Sequence, residues 1–139
     1  MESLTAIEAS RFPNRERDVA GRLDAFRSTD AFALAALKAA SDLARSDCPE
    51  LAAEIRRLVL RGGGALVAAS CLPSGDRAER ALLEAARDRL AEARYALYLA
   101  RRLGALDARR YRALGSQQDA ALREIAALLP GNSGGRPPP

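Results

Sequence analysis

EARYALYLARRLGALDARRYRALGSQQDAALREIAALL, residues 92–129, holds two apolar-periodic segments joined by one break at Gly104. Apolar residues fall at Ala93, Leu97, Ala100 and Leu103, then at Tyr111, Leu114, Ala121, Leu122, Ile125 and Leu128. That three-and-four spacing predicts two amphipathic helices, each needing a partner to cover one face. Gly104 stands where a helix ends in a left-handed residue, and Asp107 stands where the next helix needs an oxygen acceptor for its free amides. A helical hairpin is therefore expected, and the rest of the chain can be hung on it.

Working outward, 139 residues suit one domain with one core. The β-branched residues are only Thr5, Ile7, Val19, Thr29, Ile55, Val59, Val67 and Ile125, while Ala, Leu, Arg and Glu dominate. Propensity and pattern agree on an all-α protein with no strand candidate. Upstream, Phe32, Leu34, Leu37, Ala40 and Leu43 form a stripe whose cap is expected at Ser28, Thr29 or Asp30. Pro49 suits a first helical turn, and Pro73, Ser74 and Gly75 close the helix it starts. From residue 76 to 103 a heptad-like seam of Leu83, Ala86, Leu90, Ala93, Leu97 and Ala100 predicts a long third helix. Four helices follow, over about 30–46, 49–71, 76–103 and 107–129, and their short connections predict an antiparallel up-down-up-down four-helix bundle. The third, as the longest, is expected to protrude or to contact another chain. Residues 1–27 read as an N-terminal arm, 28–129 as the bundle, and 130–139 (PGNSGGRPPP) as a disordered tail.

No run approaches the roughly eighteen apolar residues of a membrane span, because Arg or Glu interrupts every helix. The first residues, with Glu2, Glu8 and Arg11, do not resemble a signal peptide, so a cytoplasmic protein is expected. Histidine is absent, which removes the commonest metal ligand and the usual general base near neutral pH. Cys48 and Cys71 bracket one helix and would sit about 35 Å apart, beyond disulfide reach, so both are read as reduced and structural. Glu84, Asp88 and Glu92 could line one face, but arginines beside each favour a solvated, ion-paired surface over hydrolytic chemistry. No enzyme, metal or cofactor is expected. Gly62, Gly63 and Gly64, inside the second helix, cost it roughly 2–3 kcal/mol against alanine. They predict a kink, or a close approach of another helix or subunit.

Twenty-one arginines and a single lysine, Lys38, give a net charge of +4. Arg80, Arg87, Arg94 and Arg101 recur every seven residues and fall nearly on one line along the third helix. Arg102 lies at its end, Arg56, Arg57 and Arg61 cluster on the second helix, and Arg109, Arg110 and Arg112 start the fourth. Positive charge in a first turn opposes the helix dipole and asks for a ligand or partner. The set predicts a surface that holds phosphates, since guanidinium forks match phosphate oxygens. Arg94 and Arg101 lead it, and changing both to glutamate is expected to abolish binding of a structured RNA. The competing reading is a solvated face paired to Glu79, Glu84, Asp88 and Glu92. Tyr95, Tyr98 and Tyr111 are expected in core or interface packing rather than in base stacking.

The segment from Leu90 to Leu129, with Glu92, Tyr95, Leu99, Ala100, Arg102, Leu103, Gly104, Ala105, Leu106, Tyr111, Leu114, Glu124, Ile125 and Leu128, resembles the last two helices of a small four-helix bundle family. That family includes Avd, the accessory variability determinant of diversity-generating retroelements, and the proteins encoded in ribosomal-RNA intervening sequences. Ile55, Arg56 and Arg57 into Leu66, Val67, Ala68 and Ala69, followed by Ala81, Leu82, Leu83, Glu84, Ala85 and Ala86, also resemble the Avd branch. The Asn-Ile-Ala-Glu-Gly motif of the intervening-sequence branch is replaced by Ala65, Leu66, Val67, Ala68 and Ala69, which disfavours that branch. The resemblance implies a homopentamer that binds a reverse transcriptase and RNA or an RNA–DNA hybrid. The alternative is a protein-interaction scaffold without nucleic-acid binding.

Overall fold

The computed structural model describes residues 15–129, which form four helices: α1 (Arg15–Arg45), α2 (Pro49–Ser70), α3 (Arg77–Arg102) and α4 (Ala108–Leu128). No strand occurs among the described residues. The expected tail at 130–139 and the first fourteen residues of the expected arm lie outside them. Each helix packs on the next, and α4 returns to α1, so the four close into an all-α bundle. Contacts of α1 with α2 and with α4 join the start of one helix to the end of the other. Arg22 at the start of α1 reaches Ser70 and Leu72 at the end of α2, while Gly21 faces Leu128 and Asp42 faces Arg110 across the α1–α4 seam.

Helix α1 corrects the expected boundary. It begins at Arg15, not near residue 30, so residues 15–27 are helix rather than arm, and Ser28, Thr29 and Asp30 lie inside it rather than capping it. The reason is that the buried stripe of Phe32, Ala36, Ala39, Ala40 and Leu43 continues backwards through two small residues, Thr29 and Ala25, where no large hydrophobic marks the helical spacing. At 31 residues α1, not α3, is the longest helix. Leu34, placed on the inner stripe by the sequence, is exposed.

The helix ends follow local chemistry. Gly104 takes a φ of +79° after α3, and the Asp107 carboxylate accepts from the Arg110 backbone N–H at 2.7 Å to start α4. Asp76 caps α3 by accepting from the Ala78 N–H at 2.7 Å, and Pro49 lies in the first turn of α2. Asp47, at a φ of +68°, turns the chain between α1 and α2.

The core is rich in alanine and leucine, with Phe32 its largest side chain. Of the three glycines, Gly62 explains itself: it is buried, and a Cβ there would fall 2.7 Å from Leu90 Cγ and 2.8 Å from Cδ2. This is the close helix approach the sequence predicts. Gly63 and Gly64 face open space instead, and helix α2 runs through all three.

At one end a polar junction ties three elements. Arg22 donates to the Ser70 and Leu72 carbonyls, closing the C-terminal end of α2, and pairs with Glu79 of α3, whose Oε1 also accepts from the Gly75 N–H at 3.1 Å. Glu79 is buried, so its charge is matched by both a guanidinium and a backbone amide.

Candidate nucleic-acid interface

The arginines sort by what holds them. Arg57 pairs with Glu54 at 2.5 Å, Arg80 with Glu84 at 3.3 Å, and Arg87 with Asp88 at 3.3 Å. These are local pairs on exposed faces, as the solvated reading expects, and each contributes little to stability. The Arg57 guanidinium, by hydrogen bond and charge, holds the Glu54 carboxyl below its ordinary range, and Glu54 in turn raises Arg57. Arg61 lies within electrostatic range of the same carboxylate. Arg56 is half-buried and makes no hydrogen bond or ion pair among the described residues.

Arg94 differs from the role the heptad spacing suggests. Its Nε donates to Gln118 Oε1 at 2.9 Å and its Nη2 to Asp119, so it clamps α3 to α4. Gln118 is only 1 % exposed, and its Nε2 donates to the Leu90 carbonyl at 2.7 Å. Substituting Arg94 would orphan a buried amide oxygen. Loss of RNA binding on changing Arg94 would therefore report on packing as much as on contact. Gln118 was not singled out by sequence reasoning. Its signal is a lone polar residue on the stripe of Leu114, Ala121 and Ile125.

Arg110 is likewise engaged, donating to Asp42 Oδ2 at 2.5 Å across the α1–α4 seam. Hydrogen bonding and charge from Arg110, with Arg45 assisting, hold the Asp42 carboxyl below its ordinary value of 3.8. Arg110 thus has an acidic partner that offsets its unfavourable place in a first turn.

Arg61 is exposed and also forms no hydrogen bond or ion pair among the described residues, which leaves Arg101, Arg102, Arg109 and Arg112. All four are exposed and form no hydrogen bond or ion pair among the described residues. They bracket the α3–α4 turn, two in the last turn of α3 and two within the first five residues of α4. Arg101 and Arg102 suit the negative end of the α3 dipole, whereas Arg109 lies in the first turn of α4, just inside the Asp107 cap, and Arg112 lies one residue past that turn.

Below them the α3–α4 seam opens into a cleft of about 290 Å³, lined by Arg94, Leu97, Tyr111, Arg112, Ser116 and Gln118 among others. The Tyr95 and Tyr98 rings stack on α3 with centroids 6.3 Å apart and planes 21° from parallel. Tyr95 is 67 % exposed and Tyr98 is also open, so neither lies in the core, one of the two settings expected for the tyrosines, whereas Tyr111 is partly buried against it. Helical spacing puts Arg102 one turn beyond Tyr98 on the same face. The structure thus brings four unpaired guanidinium groups and an aromatic pair to one corner of the bundle. Arg56, Arg57, Arg61 and Arg80 lie away from it.

No helix among the described residues is long and apolar enough to cross a membrane, and no group of three His, Cys, Asp or Glu side chains among them could hold a metal ion. Cys48 is half-buried, packed against the core, while Cys71 is exposed; neither is in a disulfide. No family model matches this chain, and no curated protein or solved structure matches it either.

Proposed function

We propose that this bundle is a non-enzymatic nucleic-acid-binding protein that holds RNA or an RNA–DNA hybrid on its α3–α4 corner. The observation that carries the reading is the set Arg101, Arg102, Arg109 and Arg112, four exposed guanidinium groups with no acidic partner among the described residues. Arg109, in the first turn, opposes the α4 dipole, a local cost that a phosphate ligand would reverse. The exposed Tyr95–Tyr98 pair beside them offers a face for an unpaired base. The likeness to Avd narrows the proposal to an oligomeric accessory of a reverse transcriptase, a pentamer in that family, working in the cytoplasm. That narrower reading rests on the resemblance alone.

The test uses Arg109→Glu with Arg112→Glu. Neither side chain is engaged elsewhere, and acidic residues suit the start of a helix, so the fold should tolerate both. In filter binding to a structured RNA at low salt, the double variant should lose at least about tenfold in affinity, while Arg77→Glu at the far end of α3 should bind like the parent. Equal affinity in parent and double variant would refute the assignment.

A second reading, a protein-interaction scaffold, is favoured by one observation. Val19, Leu23, Phe26 and Val67 are exposed hydrophobics around a groove of about 310 Å³ lined by α1 and α2 together with Leu83 of α3 and Leu128 of α4. The scaffold predicts no salt-dependent RNA binding.

A further inference from the structure

Val19, Leu23 and Phe26 follow one another along one face of α1, and with Val67, Leu83 and Leu128 they line the apolar groove. All of the first three, and Val67, are about half open to solvent or more. The charged groups in the lining, Arg22 and Glu79, already hold each other, so the groove calls for apolar side chains and no added charge. Its volume of about 310 Å³ is twice the roughly 150 Å³ of an apolar cavity that accepts a benzene ring. One aromatic ring and one aliphatic side chain would fill it.

Two segments of the chain join the bundle beside this groove. Residues 130–139 follow Leu129, next to Leu128 of the lining, but PGNSGGRPPP carries no Leu, Ile, Val, Met or aromatic residue. Residues 1–14, MESLTAIEASRFPN, join α1 at Arg15, about one helical turn before Val19, and carry Leu4, Ile7 and Phe12. Pro13 and Asn14 are residues that suit the two central positions of a reverse turn, which would send the preceding chain back along α1. The reach is sufficient. From Arg15 the groove wall extends about 6 Å along the helix to Val19 and about 16 Å to Phe26. At about 3.3 Å per residue, extended chain brings Phe12 up to about 10 Å from Arg15 and Ile7 up to about 26 Å.

We infer that residues 1–14 fold back over the start of α1 and seat Phe12 and Ile7 in this groove. Attachment one turn away makes the contact intramolecular, at an effective concentration of about millimolar, an advantage no separate chain has. The ring covers Val19 and Leu23, and the isoleucine lies toward Phe26 and Val67. Made within one chain, the contact is compatible with any number of copies and does not depend on nucleic-acid binding. It does bear on the scaffold reading, because a protein using the groove must first displace the segment.

The chain has no tryptophan, so Phe12→Trp puts a single reporter in the segment of the full-length protein. Its emission should be blue-shifted from that of N-acetyltryptophanamide and shielded from acrylamide, and neither property should change on dilution. Adding Val67→Asp, on the exposed rim, or Ile7→Asp, outside the four helices, should shift the emission to the red and restore quenching, with helicity by circular dichroism unchanged. Leu60→Asp, equally exposed on α2 but outside the groove lining, should leave the emission as it was. Solvent-exposed emission from Phe12→Trp alone would overturn the inference. So would shielding that survives Val67→Asp or Ile7→Asp, or a red shift with Leu60→Asp. Shielding lost on dilution would assign the groove to another copy of the chain and overturn it equally.

Discussion

A methyl group at Gly62 and one at Gly63 should act in opposite directions. At Gly62 it would overlap Leu90, which has no exposed surface into which to retreat, at an overpacking cost of about 1–3 kcal/mol that outweighs the helix-propensity gain. At Gly63 it meets nothing within its protomer, so Gly63→Ala should gain up to about 1 kcal/mol in the isolated chain. Urea unfolding midpoints for the two variants should therefore move apart, and a parallel shift would deny the tight Gly62–Leu90 contact. Thr29 offers a second residue-scale check. Its hydroxyl is buried without a partner, so Thr29→Val should stabilise by about 1 kcal/mol; destabilisation would imply a partner for that oxygen. These features were unevenly visible beforehand. Three consecutive glycines in a helical pattern announce close approach, but which one lies inside depends on the phase of α2 against α3.

The elements are held by caps and by cross-helix ion pairs whose removal has distinct signatures. Asp107→Ala should cost about 1 kcal/mol through loss of the α4 cap, seen as a lower thermal midpoint. Glu79→Gln should cost more, about 3 kcal/mol, because Arg22 would then be left beside α2 and α3 without its counter-charge. A loss no larger than the cap's would show that Arg22 finds other partners. The Asp42–Arg110 pair adds a pH dependence. Its folded carboxyl is lowered, so the contribution is complete above the ordinary value of 3.8 and disappears as pH falls below it through the folded value. Asp42→Asn should flatten the decline in urea midpoint on the acid side of the ordinary carboxylate value, and an unchanged decline would argue that the pair is not formed. At this scale α2, α3 and α4 were legible because large apolar residues repeat at helical spacing and Pro49, Gly104 and Asp107 mark their ends. The early start of α1 was not, because its inner stripe is alanine and threonine while its charged residues and Gly21 imitate a loose arm.

Across the whole molecule, spacing identified the arginines but not their occupations. A seven-residue repeat places Arg80, Arg87, Arg94 and Arg101 along one line, yet only the packing of α4 against α3 shows that Arg94 is spent on Gln118 and Asp119. Likewise the cluster at the start of α4 divides, with Arg110 held by Asp42 and Arg109 and Arg112 left open. What emerges is a corner rather than a stripe, with positive charge concentrated at the α3–α4 turn beside two stacked tyrosines. Exposed apolar side chains lie both on α1 and α2, at Val19, Leu23, Phe26, Leu34, Leu60 and Val67, and at the corner itself, at Leu103 and the two tyrosines. The salt dependence of RNA binding by the unaltered chain tests the corner most directly. If four guanidinium groups each replace a counterion on the phosphate backbone, the logarithm of the affinity should fall against the logarithm of salt concentration with a slope of about −3. A flat line, or no binding at low salt, would contradict the account.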